Sequence, residues 1–174
     1  LGAEPYLKQL QRLRDHVKVP VIASLNGTTP GGWTDYARAC EARGADAIEL
    51  NIYFLAASVD DSSTEVEQRY VDLVQSVTHQ VRLPVAVKVA PYFSAMANMA
   101  ARLTKAGASG LVLFNRFLEP DISLDRMAAQ PSMTLSSPAE SLLPLRWIGI
   151  LNGRVKASLA ASTGVYDAAG AAKQ

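Results

Sequence analysis

Short apolar runs that end in polar or small residues recur along the chain, and they alternate with stretches in which apolar residues return at helical spacing. The runs occupy positions 20–27, 45–51, 83–92, 110–116 and 157–164. Uninterrupted aliphatic runs are typical of strands that are covered on both faces, as in a parallel sheet. The repeated alternation of strand and helix therefore predicts an α/β fold with a parallel sheet.

The stretches between the runs predict helices at 4–16, 34–43, 65–79 and 95–106, followed by a helix that runs through Trp147. Thr34 is expected to be the N-cap of the second helix, and Gly44 is expected to end it. The apolar side chains of Met96, Met99 and Leu103 are expected to point into the core. An irregular excursion is expected at 118–131.

Polar side chains stand at the carboxyl ends of the predicted strands: Asn26, Asn51, Lys88 and Asn115. Parallel strands bring these ends to one edge of the sheet, which is how a (β/α) barrel builds an active site. A complete barrel has eight strands and about 250 residues, whereas five strands are visible in these 174 residues. We therefore expect a fragment of a TIM (β/α)8 barrel, with residues 1–174 forming one partial domain.

Lys88 is the one charge in the run that surrounds it, and a strongly hydrated ammonium is rarely buried without a partner or a task. One interpretation is a strand-end lysine that extends to water. The other is a lysine that binds an anion. Glu49 and Asn51 face the same way because they are two positions apart on one strand, and Lys88 is the expected partner of Glu49.

Composition limits the partners and the compartment. The 17 basic and 16 acidic residues are interspersed and leave a net charge of +1, so no field favours nucleic acid or an anionic membrane. We find no membrane-span pattern and no leader pattern at Leu1, and we expect a cytoplasmic protein. Cys40 is expected in the core. His16 and His79 are far apart in the sequence, so no metal site is expected.

The motifs together resemble the dihydroorotate dehydrogenase family, whose members are FMN-dependent (β/α) barrels of pyrimidine synthesis. The matching segments are Glu49-Leu50-Asn51, the stretch 87–92, the strand that ends in Asn115, and Ser162-Thr163-Gly164-Val165 with Asp167-Ala168. They follow the family's order and roughly its spacing over nearly the whole chain. By this resemblance the visible strands are the third to the seventh of eight.

The resemblance implies a role for each matching residue. Lys88 matches the lysine beside the flavin, where an ammonium stabilises the negative charge of the reduced ring. Asn51 and Asn115 match asparagines that contact flavin or substrate, since an amide offers both a donor and an acceptor. The positions at which the family has glycine pairs around the flavin and its phosphate are Ser136, Ser137, Thr163 and Gly164. The implied reaction is oxidation of dihydroorotate, or of a close dihydropyrimidine-like small molecule.

Two positions depart from the family's pattern. Phe54 stands where the family has a cysteine or serine base, and phenylalanine cannot accept a proton. Arg116 stands where a serine usually follows the asparagine; it can pair with a phosphate or with a surface carboxylate. Two alternatives therefore stay open: an aldolase-like barrel in which Lys88 forms a Schiff base, and a non-catalytic barrel that binds flavin or phosphate. The oligomeric state is also open, a homodimer included.

Overall fold

The computed structural model describes residues 3–26, 30–116, 119–131 and 134–174. The helices are α1 (Ala3–His16), α2 (Pro30–Ala42), α3 (Ser63–Thr78), α4 (Met96–Lys105), α5 (Leu142–Leu151) and α6 (Ala168–Lys173). The strands are β1 (Ile22–Leu25), β2 (Ala47–Asn51), β3 (Val85–Val89), β4 (Gly110–Leu113), β5 (Pro120–Ser123), β6 (Ala128–Pro131) and β7 (Ser158–Ala161). A 3-10 helix, Pro138–Ser141, leads directly into α5.

The main sheet has the strand order β1-β2-β3-β4-β7, and all of its neighbouring pairs are parallel. This confirms the prediction of a parallel α/β sheet from the five apolar runs. Within the described residues, β1 and β7 each pair on one side only, so the sheet has two edges. The strands thus form an open, all-parallel sheet.

The two faces of the sheet differ in cover. Alternate strand residues such as Ile48, Leu50, Val87 and Leu111 are fully buried beneath helices that include α2, over β1 and β2, and α5, over β4 and β7. The residues between them, including Glu49, Asn51 and Lys88, are half-buried on the other face. Because successive strand residues point to opposite faces, the polar positions share the face that the helices leave open.

The predicted core residues are where the periodicity placed them. Met96, Met99 and Leu103 are at most 2% exposed, which confirms the inward face of α4. Cys40 is buried as well, and burial raises the pKa of its thiol to about 11. A thiol with so high a pKa is a poor nucleophile near neutral pH, so its role in the core is packing.

The predicted start of α2 was wrong. The helix begins at Pro30 rather than after Thr34, and the Thr34 hydroxyl donates back to the carbonyl of Gly31 instead of capping the helix. Proline suits a first helical position because its fixed φ is already helical. Trp33 is 2% exposed, so packing of its side chain holds the glycine-rich first turn in a helix.

The predicted irregular excursion at 118–131 was also wrong over the residues that the structure describes. Strands β5 and β6 form an antiparallel hairpin in which Asp121 pairs with Gln130 and Ile122 with Ala129. The hairpin leaves Ile122 and Leu124 exposed. Across the described ranges, every helix is too short or too polar to cross a membrane.

Candidate functional site

The carboxyl ends of the main strands bring the predicted polar residues to one edge of the sheet. Asn51 and Lys88 are direct neighbours in the β2–β3 register, and Lys88 is paired on its other side with Val112 of β4. Residues paired in a parallel ladder point to the same face. The Lys88 side chain therefore shares the open face with the Asn51 amide.

Three asparagine side chains form a hydrogen-bonded chain along this edge. The Asn115 Nδ2 donates to Asn51 Oδ1 at 2.5 Å, and the Asn51 Nδ2 donates to Asn26 Oδ1 at 2.6 Å. Asn115 follows β4 and Asn51 ends β2, so the chain passes across β3 and the strand position of Lys88. The amides are therefore mutually oriented. Among the described residues no partner is bound to the outer atoms of the row, Asn26 Nδ2 and Asn115 Oδ1, and an amide of this kind can bind a ligand.

The expected pairing of Glu49 with Lys88 was wrong. The Glu49 carboxylate instead accepts a 2.6 Å hydrogen bond from the Ser24 hydroxyl, which lies opposite it in the β1–β2 register. Lys88 has no ion pair and no side-chain hydrogen bond with any residue in the described ranges. A half-buried ammonium in this state suits an anionic or electron-rich group of a ligand.

The four residues predicted to surround a phosphate lie together beyond the ends of β4 and β7. The Gly164 N–H donates to the Ser136 hydroxyl oxygen at 3.1 Å. Gly164 has a φ of +71°, and a Cβ there would lie 2.4 Å from the nitrogen of Ser141 and 2.9 Å from the carbonyl oxygen of Ser137. The turn after β7 is therefore pressed against the 3-10 helix, an approach that only glycine allows.

Thr163 adopts a φ of +83°, which is rare for a β-branched residue. It occupies a position at which the resemblance implies a glycine. The backbone of this turn thus keeps a glycine-like conformation although the side chain is that of threonine.

A carboxylate of the chain occupies the donors at this end of the site. Glu140 accepts a 2.5 Å hydrogen bond from the Ser137 N–H and forms a 2.8 Å ion pair with the Arg116 guanidinium. The hydrogen bond from the Ser137 backbone lowers the pKa of Glu140, and Arg116 adds to the effect. The Ser-x-x-Glu pattern of a capping box is the signal in the sequence for the contact between Ser137 and Glu140. Arg116 was expected to pair with a phosphate or with a surface carboxylate, and in the structure it pairs with the carboxylate of Glu140.

A cavity of about 240 Å³ lies beside the Asn115 end of the amide row, with Asn115, Arg116, Glu140 and Thr163 among its lining residues. Tyr53 adds a bridge over the open face, since its hydroxyl donates to the carbonyl of Arg116 at 3.3 Å. The strand ends therefore bring one ammonium, a row of amides and one guanidinium to the same edge of the sheet. The roles assigned to these residues stay predictions.

Phe54 does not face this row. Its ring packs edge-on against Tyr70 of α3, with centroids 4.9 Å apart and planes inclined by 73°, and its N–H donates to the Tyr70 hydroxyl. The aromatic side chain therefore lies on the helix side of the strand ends. Sequence reasoning identified the missing base here but not this packing.

Comparison with known proteins finds relatives named dihydroorotate dehydrogenase at low identity. The chain is 30% identical over 174 residues to the catalytic subunit of dihydroorotate dehydrogenase B (NAD(+)) from Cutibacterium acnes, covering 94% of this chain and 55% of that protein. It is 29% identical over 167 residues to the protein of the same name from Halalkalibacterium halodurans, covering 92% of this chain and 54% of that protein. The chain thus spans about half the length of these curated relatives. No protein-family model matches it.

Solved structures share the fold at still lower identity. A dihydrodipicolinate synthase from Acinetobacter baumannii superimposes with a TM-score of 0.58 at 15% identity, over 93% of this chain and 47% of that one. A phosphonopyruvate hydrolase superimposes with a TM-score of 0.56 at 17% identity, over 94% of this chain and 60% of that one. These likenesses support a barrel-type α/β fold and no particular chemistry. By sequence alone, the chain is similar to proteins named dihydroorotate dehydrogenase, at 29–30% identity.

Proposed function

We propose that the chain forms part of an FMN-dependent oxidoreductase that acts on dihydroorotate or a close dihydropyrimidine-like molecule. The observation that carries this proposal is Lys88, an ammonium without an ion-pair partner among the described residues, next to the hydrogen-bonded row of Asn51 and Asn115. Relatives named dihydroorotate dehydrogenase support the choice of chemistry.

The open end of the site fits the ring of a flavin. Amides satisfy the mixed donors and acceptors of an imide edge, and the Asn115–Asn51–Asn26 chain presents amides in a fixed order. Lys88 supplies positive charge on the same face. Among the described residues, no carboxylate forms an ion pair with Lys88.

The other end fits a phosphate only after a change. The Gly164 N–H is used by Ser136, and the Ser137 N–H and the Arg116 guanidinium are used by Glu140. The donor set, an arginine with backbone N–H groups, is of the type that binds phosphate. A phosphate must displace the Glu140 carboxylate to reach it.

Different residues of this chain would stabilise the bound cofactor and orient the substrate. The chemistry that FMN supplies when bound is hydride acceptance. Lys88 would favour the form of the bound ring that carries negative charge, and Asn51 and Asn115 would orient a planar substrate. Because Phe54 offers no proton acceptor, turnover of dihydroorotate is expected to lack the factor of about 10² to 10⁴ that a general base supplies.

The test is the visible absorption spectrum of the protein reconstituted with FMN, followed by anaerobic addition of dihydroorotate. Flavin bands that bleach on addition support the proposal, whereas bands that persist would remove dihydroorotate as the substrate. Lys88→Met is expected to weaken FMN binding by about tenfold, and Lys105→Met, at the end of α4, is the matched control. Equal binding by both variants would contradict the role of Lys88.

The two alternatives give different results in the same series. An aldolase-like enzyme would be trapped by borohydride at Lys88 in the presence of a carbonyl substrate, and it would not need FMN. The open lysine is compatible with that chemistry. A non-catalytic barrel would bind FMN without bleaching, and Phe54→Cys would restore no turnover.

A further inference from the structure

A second cavity lies on the helix side of the strand ends, separate from the row of amides. It has a volume of about 520 Å³ and lies between the loop at 52–62, the loop at 90–95 and the first turns of α3. This volume is within the usual range for a site that encloses a small molecule. None of the residues predicted for flavin or substrate lines it.

One wall of the cavity is a rigid aromatic cluster. The rings of Phe54 and Tyr70 meet edge to face at 4.9 Å, and those of Tyr70 and Phe93 do so at 5.2 Å with an interplanar angle of 81°. Such pairs are favoured geometries for aromatic side chains. Because each ring is held by the next, the wall is preformed for a ligand with an apolar, flat surface.

The carboxylates at the rim are already paired. Asp61 contacts Arg69 at 3.2 Å, and Glu67 contacts Arg102 at 2.6 Å. A cationic ligand would therefore gain little from them, and an anionic ligand would bring a charge that the apolar wall cannot compensate. The electrostatics favour an uncharged ligand.

The Tyr70 hydroxyl is an oriented polar group in this cavity. The Tyr70 hydroxyl receives the Phe54 N–H at 3.3 Å, and no residue in the described ranges accepts its own proton. Burial raises the pKa of Tyr70, so the hydroxyl stays protonated at physiological pH. It can serve as a donor to an acceptor atom on a ligand.

We propose that this cavity is a binding site for an uncharged, ring-containing small molecule, distinct from the site at Lys88. Phe54 is then a residue of this apolar site, which explains why a large aromatic side chain stands where a base is expected. The inference does not depend on FMN.

A matched pair of probes tests the proposal on the protein without FMN. N-phenyl-1-naphthylamine is uncharged and fluoresces in apolar surroundings, and 8-anilinonaphthalene-1-sulfonate is the same ring system with a sulfonate. We expect saturable binding of the uncharged probe at one site per chain. The sulfonated probe should bind at least about tenfold more weakly, the cost of carrying a charge into this wall. Equal affinity for the two probes would overturn the proposal.

Two tryptophan variants of one loop locate the binding. Ala56 lines the cavity, whereas Val59 is 99% exposed in the same loop and does not line it. Ala56→Trp is expected to fill the space and weaken binding of the uncharged probe by about tenfold or more, and Val59→Trp is expected to bind as the parent does. Undiminished binding by Ala56→Trp, or an equal loss in both variants, would place the probe elsewhere and refute the site. Circular dichroism verifies that both variants are folded.

Discussion

Replacing Gly164 by alanine tests how closely the turn after β7 must approach the 3-10 helix. A Cβ at this position would lie 2.4 Å from the Ser141 nitrogen and 2.9 Å from the Ser137 carbonyl oxygen, and both of these are backbone atoms. Backbone cannot move aside as a flexible side chain can. One of the two segments must therefore shift, together with the Ser136 and Ser137 groups that the segments hold.

Gly153 provides the matched control. Its φ is +73°, nearly the same as the +71° of Gly164, but a Cβ there would have no neighbour within 4 Å. Alanine at Gly153 therefore lowers the free energy of unfolding only by the strain of the left-handed backbone, about 1 kcal/mol. Alanine at Gly164 adds the cost of overpacking, about 1–3 kcal/mol. We expect the free energy of unfolding to fall by about 2–4 kcal/mol in Gly164→Ala.

Urea denaturation followed by circular dichroism measures both variants. The comparison is valid when the two transitions have the same dependence on urea, since a changed slope reports a changed denatured or native state. The expected difference between the variants is at least about 1 kcal/mol. A difference below about 0.5 kcal/mol, within ordinary surface variation, would refute the close approach as the reason for glycine at position 164.

Two further predictions concern the same end of the site. Glu140→Gln is expected to raise the affinity for inorganic phosphate by about fivefold, because it removes the carboxylate that competes for the Arg116 guanidinium; calorimetric titration measures it. Glu65→Gln removes the same charge from the other capping box, at α3, and should leave that affinity unchanged; equal effects would refute the competition. The pKa of Glu140 is lowered, so its competition persists at neutral pH and is lost only as pH falls through that lowered value. Thr163→Gly should raise the free energy of unfolding by about 1 kcal/mol because glycine accepts a φ of +83° without strain, and an unchanged or lower value in urea denaturation would count against strain at this turn.

The main sheet can be predicted from the sequence because its buried positions are occupied by runs of apolar residues. Each strand of the sheet is covered by helices on one face, and residues such as Ile48 and Val87 show full burial. The hairpin of β5 and β6 leaves no such pattern. Its residues pair with one another and stay exposed, so the hydrogen bonds that define it have no counterpart in hydrophobic periodicity.

Local propensity failed where packing outweighed it. Glycines after Pro30 predict a loop, yet the buried indole of Trp33 holds this segment in the first turn of α2. The partner of Glu49 was predicted from strand order alone. A parallel register that sets Ser24 directly opposite Glu49 gives the carboxylate a hydroxyl at 2.6 Å, and such offsets along a strand cannot be read from composition.

The two ends of the site bear differently on the proposed function. The ammonium and the amide row need only two residue types at strand ends, lysine and asparagine, and both are present and brought together. The turn after β7 has a left-handed backbone at both Thr163 and Gly164, and the resemblance implies glycine at both positions. At the other end Glu140 uses the anion donors, and Phe54 lies in an aromatic wall. Under the proposed function, binding of the flavin ring would use Lys88 and the asparagines, whereas fast turnover would need the base that Phe54 does not supply. Measuring FMN affinity and dihydroorotate turnover separately is therefore more informative than measuring activity alone.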